Sequence, residues 1–81
     1  MQRVKSFFKI SMNRFGEKLR ILRKQRGLSQ TELAESLDVQ QSYVGKLERG
    51  ERMPNVAMLG KVAALFSVSF DQLMDDAVEL D

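Results

Sequence analysis

Apolar residues recur along the chain at helical spacing, and no stretch alternates apolar and polar residues over the length of a strand. Over residues 14–26, Phe15, Leu19 and Leu22 form one apolar face, which predicts a first helix. Further helices are predicted near residues 29–37, 41–49, 55–66 and 69–74. Their expected inward-facing residues are Leu33, Ala34, Leu37, Val44, Leu47, Val56, Leu59, Val62, Ala63, Phe66, Phe70 and Leu73. We therefore expect an all-α fold, a compact bundle of five helices.

Residues that favour caps and turns mark the ends of these helices. Asn13 is predicted to cap the first helix and Asn55 the fourth, because an asparagine oxygen can accept from an unpaired amide of the first turn. Residues 29–32 and 69–72 have the spacing of capping boxes. The residues expected to end the first three helices are Gly27, Asp38 and Gly50.

Charge is distributed unevenly along the chain, although the net charge is only +2. Residues 3–26 are strongly basic, with Glu17 as the single acid, whereas residues 71–81 contain acids and no base. Such a polarised molecule can turn one side toward phosphate, but ordinary solvated helix faces explain the same pattern. We divide the chain into an N-terminal extension (1–12), a helical domain (13–75) and an acidic C-terminal tail (76–81).

Composition argues against several classes of function. The chain has no cysteine and no histidine, and it shows neither a glycine-rich phosphate loop nor a convergent pair of carboxylates. We therefore expect no catalytic residue, metal site, cofactor or small-molecule substrate, and hence no enzyme. No apolar run is long enough to span a bilayer and no secretory signal is evident, so we expect a cytoplasmic protein without a membrane partner.

The stretch from 28 to 50 has a more specific pattern, LSQTELAESLDVQQSYVGKLERG. A glutamine opens one helix, a small Ala34 allows a close helix crossing, and Asp38 forms the turn before apolar Val39. Val44 and Leu47 then hold the next helix in place. This pattern resembles the helix-turn-helix of the phage repressor and Cro family, also called the XRE family. The resemblance extends over residues 15–74 and implies a lambda-repressor-like five-helix bundle.

By this resemblance the third helix enters the major groove of double-stranded DNA and the second lies across the backbone. The residues implied to read bases are Gln41, Ser42 and Lys46, with Gln40 at the helix entry. Those implied or considered to contact phosphate are Gln30, Tyr43, Arg49, Arg52 and Lys61. Arg23 and Glu48 match a structural ion pair of the family. A polar face on a short helix can also be merely solvated, and the ring of Tyr43 can pack on the domain surface.

Three departures from the family pattern bear on this interface. Asp38 stands where glycine is common, and Gln40 stands where a better-capping serine or threonine is expected. Gly45 lies inside the third helix, where it costs about 1 kcal/mol relative to alanine.

Family members usually pair, since two recognition helices about 34 Å apart meet successive major grooves on one DNA face. The resemblance implies a homodimer through Phe66, Phe70 and Met74, with Leu73, Val78 and Leu80 as further candidates, although Phe66 and Leu73 also suit the monomer core. Ahead of the domain, Phe7 or Phe8 can cover the apolar Ile21; a partner-wrapping arm and a basic DNA-binding arm are the alternatives.

The predicted function is sequence-specific regulation of transcription, as a repressor binding a palindromic operator. The alternatives are an antitoxin-type module with a protein partner and a controller protein of a restriction-modification system.

Overall fold

The computed structural model describes residues 13–80, and within that range five α-helices follow one another without any strand. The helices are α1 (Phe15–Gln25), α2 (Gln30–Leu37), α3 (Gln41–Glu48), α4 (Val56–Phe66) and α5 (Phe70–Met74). This confirms the all-α, five-helix prediction. The hypotheses about residues 1–12, including the cover over Ile21 by Phe7 or Phe8, lie outside the described residues.

The predicted cap and turn residues act at most of the helix ends, and Gly27 and Gly50 take the left-handed conformation just after α1 and α3. Both capping boxes form, in residues 29–32 and 69–72, and the side chain of Asn55 accepts from the amide of Met58 at 2.8 Å. Asp38 adopts the left-handed conformation at the end of α2, with φ of 59°. Gln40 precedes α3 without a side-chain capping hydrogen bond, as its departure from the family pattern predicts. Side-chain oxygens therefore order three helix starts, and α3 is held by packing instead.

The predicted cap on α1 is wrong. Arg14 occupies the capping position without a side-chain hydrogen bond of the capping kind. The carboxylate of Asp76 instead accepts from the backbone amides of Asn13, at 3.0 Å, and Arg14, at 2.8 Å. A carboxylate at the positive N-terminal end of a helix is favourable, and here a residue distant in sequence supplies it.

The core contains the predicted apolar faces with two exceptions, one of which is Phe70, 42% exposed on α5. Phe15, Leu19 and the inward residues of α2 and α3 are buried, as are those of α4 from Leu59 onward. Val56 is 74% exposed, so its predicted inward position is wrong. Val56 occupies the first turn of α4, ahead of the buried positions, and Met58 is buried there instead.

Lys18 is fully buried, a position that its charge does not predict. Its ammonium donates to the carbonyl oxygens of Gln72 (2.6 Å), Asp75 (2.8 Å) and Val78 (2.6 Å). These oxygens lie at the C-terminal end of α5 and just beyond it, where helix carbonyls carry partial negative charge. The hydrogen bonds of Lys18 thus join α1 to the end of α5 and to the segment that follows it.

Helix α1 packs closely against the end of α3 at Gly16. A Cβ atom built on Gly16 would lie 2.5 Å from the carbonyl oxygen of Leu47 and 2.6 Å from that of Glu48. Both contacts are backbone atoms, which cannot swing aside as a side chain can. The absence of a side chain at Gly16 therefore sets how closely the last turn of α3 approaches α1.

Candidate nucleic-acid interface

Helices α2 and α3 form a helix-turn-helix whose relative position is fixed by buried residues. Leu33, Ala34 and Leu37 of α2 and Val44 and Leu47 of α3 all belong to the core. In the turn, the amide of residue 39 donates to the carbonyl oxygen of residue 34 at 2.9 Å. These buried contacts therefore hold α3 in a fixed position against α2, and the opposite face of α3 is exposed to solvent.

The four side chains predicted to read bases lie at the start of α3 or on its exposed face. Gln40, Gln41, Ser42 and Lys46 are all exposed, as base contact requires. Gly45 is buried, because the guanidinium of Arg49 lies across it; a Cβ on Gly45 would be 3.0 Å from Nη1. The structure thus groups the predicted residues, while their individual contacts to bases stay predictions.

Gln30, the predicted phosphate contact at the start of α2, is already engaged on both sides. Its amide nitrogen donates to Oε1 of Glu48 at 3.1 Å. Its carbonyl oxygen accepts from the amide nitrogen of Gln41 at 2.6 Å. Gln30 therefore joins the face that is predicted to read bases to the nearly buried carboxylate of Glu48, and its phosphate contact stays a prediction.

The predicted ion pair between Arg23 and Glu48 forms and is nearly buried. Nε and Nη2 of Arg23 donate to the two carboxylate oxygens at 2.7 and 3.1 Å, and the side chains are 11% and 3% exposed. Nη1 of Arg23 also donates to the carbonyl oxygen of Leu28 at 2.9 Å. This bidentate geometry fixes α1 relative to α3, the structural role predicted for the pair.

Tyr43 and Arg52 lie together at one flank of the α3 face. Tyr43 is half-buried, and the guanidinium carbon of Arg52 lies 5.7 Å from its ring centroid. Cation–π contact of this kind holds an arginine side chain over an aromatic face. The ring of Tyr43 therefore packs against the core and beneath Arg52, while the phosphate contacts of both residues stay predictions.

Arg49 is paired with Glu51 in a solvent-exposed, bidentate contact of 2.9 and 3.2 Å. The hydrogen bond from Arg49 and its positive charge hold the pKa of Glu51 below its usual value, and the same hydrogen bond together with the negative charge of Glu51 raises the pKa of Arg49. Because the pKa of Glu51 is lowered, the pair is fully formed at neutral pH and is lost only as the pH falls through that lowered value. A phosphate group must therefore compete with Glu51 for Arg49.

Two basic residues have roles that the sequence did not reveal. Arg20 lines a polar cavity together with Arg23, Gln30, Glu48 and Arg49. Its position one turn before Arg23 on α1 is the signal that could have placed it there. Lys61, considered as a phosphate contact, donates to the carbonyl oxygen of Leu37 at 3.1 Å and so joins α4 to the end of α2.

The residues predicted for the dimer surface divide into two groups. Phe66 is 5% exposed within the core, and the guanidinium carbon of Arg26 lies 5.3 Å from its ring centroid. Its side chain is thus occupied within the monomer, which corrects its assignment to the dimer surface. Phe70 is 42% exposed and Met74 half-buried, so both present apolar surface to solvent.

Over 13–80 there is no group of acidic, histidine or cysteine side chains able to hold a metal ion. None of the helices described there is both long and apolar enough to cross a membrane.

Several known proteins are similar to this chain in sequence and in fold. SinR of Bacillus subtilis, an HTH-type transcriptional regulator, is 36% identical over 67 residues, which are 82% of this chain and 60% of SinR. The restriction-modification controller protein C.AhdI from Aeromonas hydrophila superposes with a TM-score of 0.69 at 37% identity, covering 76% of this chain and 94% of C.AhdI. A crystal structure of SinR in complex with DNA matches with a TM-score of 0.67 at 37% identity, covering 73% of this chain and 95% of that one.

The family model described as helix-turn-helix matches residues 19–73, which is more than half of the chain. The match contains the α2–turn–α3 unit and the exposed face of α3 described above. The chain therefore belongs to the helix-turn-helix family of the phage repressor and Cro (XRE) type.

Proposed function

We propose that this protein is a transcriptional regulator that binds a palindromic operator in double-stranded DNA as a homodimer and acts as a repressor in the cytoplasm. The observation that carries the proposal is the exposed polar face of α3, mounted on a buried helix-turn-helix core. A glutamine there can pair with adenine and a lysine can donate to guanine. The relatives named above are transcription and controller proteins rather than enzymes, which supports a non-catalytic role.

Controller proteins of restriction-modification systems are the second candidate. The similarity to C.AhdI, with a TM-score of 0.69 at 37% identity over 94% of that protein, supports this comparison. Both candidates require the same DNA-binding surface, and a neighbouring restriction-enzyme gene would favour the second. An antitoxin-type role would instead require a specific protein partner, and it becomes the leading explanation if no DNA sequence is preferred.

Replacing Gln41 with alanine is expected to weaken binding to the operator about tenfold, because a bidentate contact to adenine is worth about 1–3 kcal/mol. Binding would be measured by titration onto duplexes from the region upstream of the gene and onto a scrambled duplex, at several salt concentrations. Gln25→Ala is the matched control, since Gln25 is an exposed glutamine at the end of α1. If the unmodified protein bound both duplexes equally and with a steep dependence on salt, this would contradict sequence-specific DNA binding.

Replacing Phe70 with glutamate is expected to convert the dimer to a monomer at micromolar concentration, because it places a charge on the exposed apolar surface of α5. Sedimentation equilibrium measures the change, and circular dichroism checks that the fold survives. Val56→Glu is the control, since Val56 is more exposed than Phe70 and lies outside the predicted interface. A dimer that persists in Phe70→Glu would place the interface elsewhere.

A further inference from the structure

We propose that the buried carboxylate of Glu48 is a positioning residue for base recognition, because it fixes the direction in which Gln41 presents its amide to DNA. This inference rests on the proposed function. It concerns a chain of contacts from Glu48 through Gln30 to Gln41, which we name the glutamine relay. The relay starts at an ion pair whose other role is structural.

The direction of the relay is set at its buried end. A carboxylate can only accept hydrogen bonds. Glu48 accepts two from Arg23 and one from Gln30, and its side chain is 3% exposed. The guanidinium of Arg23 compensates the buried charge and is itself held by the carbonyl oxygen of Leu28. Glu48 is therefore a fixed acceptor.

Because Glu48 can only accept, it determines the orientation of the side-chain amide of Gln30 and, through it, that of Gln41. The two ends of a glutamine amide have nearly the same shape, so its orientation is set by its hydrogen-bond partners. Gln30 must turn its NH₂ group toward Glu48, which leaves its carbonyl oxygen facing Gln41. Gln41 must then donate to that oxygen, at the observed 2.6 Å. No side chain in the relay can reverse while Glu48 is a carboxylate.

This direction matters for the base that Gln41 reads. With one N–H committed to Gln30, Gln41 keeps its carbonyl oxygen and its second N–H for DNA. Adenine offers an acceptor at N7 beside a donor at N6, and a glutamine amide matches that pair in one order only. A fixed amide therefore selects adenine, whereas an amide free to turn over tolerates other patterns of donors and acceptors.

The test is selection of bound duplexes from a library with a randomised central segment, using the full chain. The unmodified protein is expected to enrich an adenine at one position of each half-site, and Gln41→Ala is expected to lose that preference. In Glu48→Gln the new amide can donate or accept, so preference at that same position is expected to fall about threefold to tenfold. Preferences at the other positions are expected to persist.

Two further variants separate positioning from folding. Gln30→Met breaks the glutamine relay but keeps both side chains of the Arg23–Glu48 ion pair. The base preference at that same position is therefore expected to fall in this variant even if Glu48→Gln fails to fold. Gln30→Met should have no added effect on base preference in a Gln41→Ala background. Glu51→Gln is the matched control, because Glu51 also pairs with an arginine but lies outside the relay. Its effect should be equal at all positions.

The outcomes distinguish the inference from the function beneath it. If the unmodified protein enriches no sequence, both the proposed function and the inference are overturned. If it enriches an operator but folded Glu48→Gln and Gln30→Met keep the same base preferences, only the inference is overturned. A uniform loss of preference at every position would assign Glu48 a purely structural role and would also overturn it.

Discussion

Replacing Gly16 with alanine is expected to lower the free energy of unfolding by about 2 kcal/mol or more. The added methyl group would meet the carbonyl oxygens of Leu47 and Glu48 at 2.5 and 2.6 Å, so α1 and the last turn of α3 must separate. The higher helix propensity of alanine, about 1 kcal/mol, offsets only part of this cost. Thermal unfolding followed by circular dichroism should show a midpoint lower by about 10 °C.

Gly45→Ala provides a matched comparison on the facing helix. A Cβ on Gly45 would be crowded by Nη1 of the exposed Arg49 side chain, at 3.0 Å, and this group can move; Oε1 of Gln30, at 3.7 Å, is at an ordinary contact distance. We expect the gain in helix propensity to dominate, with a change between zero and about 1 kcal/mol of stabilisation. Equal destabilisation by both substitutions would show that the α1–α3 contact at Gly16 is not a special constraint.

Replacing Lys18 with methionine is expected to lower the free energy of unfolding by about 3 kcal/mol, more than for any other lysine within residues 13–80, because Lys18 is fully buried. Methionine fills a similar volume but donates no hydrogen bond, so three carbonyl oxygens near the end of α5 lose their shared donor. The segment after α5 should loosen, and Asp76 should then cap α1 less well. Denaturant unfolding measures the stability, and faster hydrogen exchange at the amides of Asn13 and Arg14 reports the loosened cap.

Lys24→Met is the control for this substitution. Lys24 is an exposed lysine on the same helix, and its removal forfeits only a favourable charge near the end of α1. We expect a change below about 1 kcal/mol. If Lys18→Met proved as mild as Lys24→Met, the three carbonyl contacts would contribute little to holding the C-terminal segment.

Local sequence patterns predicted most of the fold because they depend on neighbours a few residues apart. The 29–32 and 69–72 capping boxes, the left-handed turn at Asp38 and the apolar faces of α1 and α3 are all of this kind. The pair of Arg23 and Glu48 was predicted from resemblance, which carries information about contacts between distant helices. Val56 was misplaced because periodicity gives the face of a helix but not where its buried part begins.

The sequence by itself determined the five helices, the N-terminal caps of α2, α4 and α5, and the polar face of α3. The tertiary structure alone decided that Lys18 is buried and that Asp76 rather than Asn13 caps α1. It also showed that Gln30 links Glu48 to Gln41. These contacts join residues from different helices, so no local pattern marks them. A side chain's charge gives the cost of burying it, but only the assembled bundle shows which carbonyls or carboxylates compensate that cost.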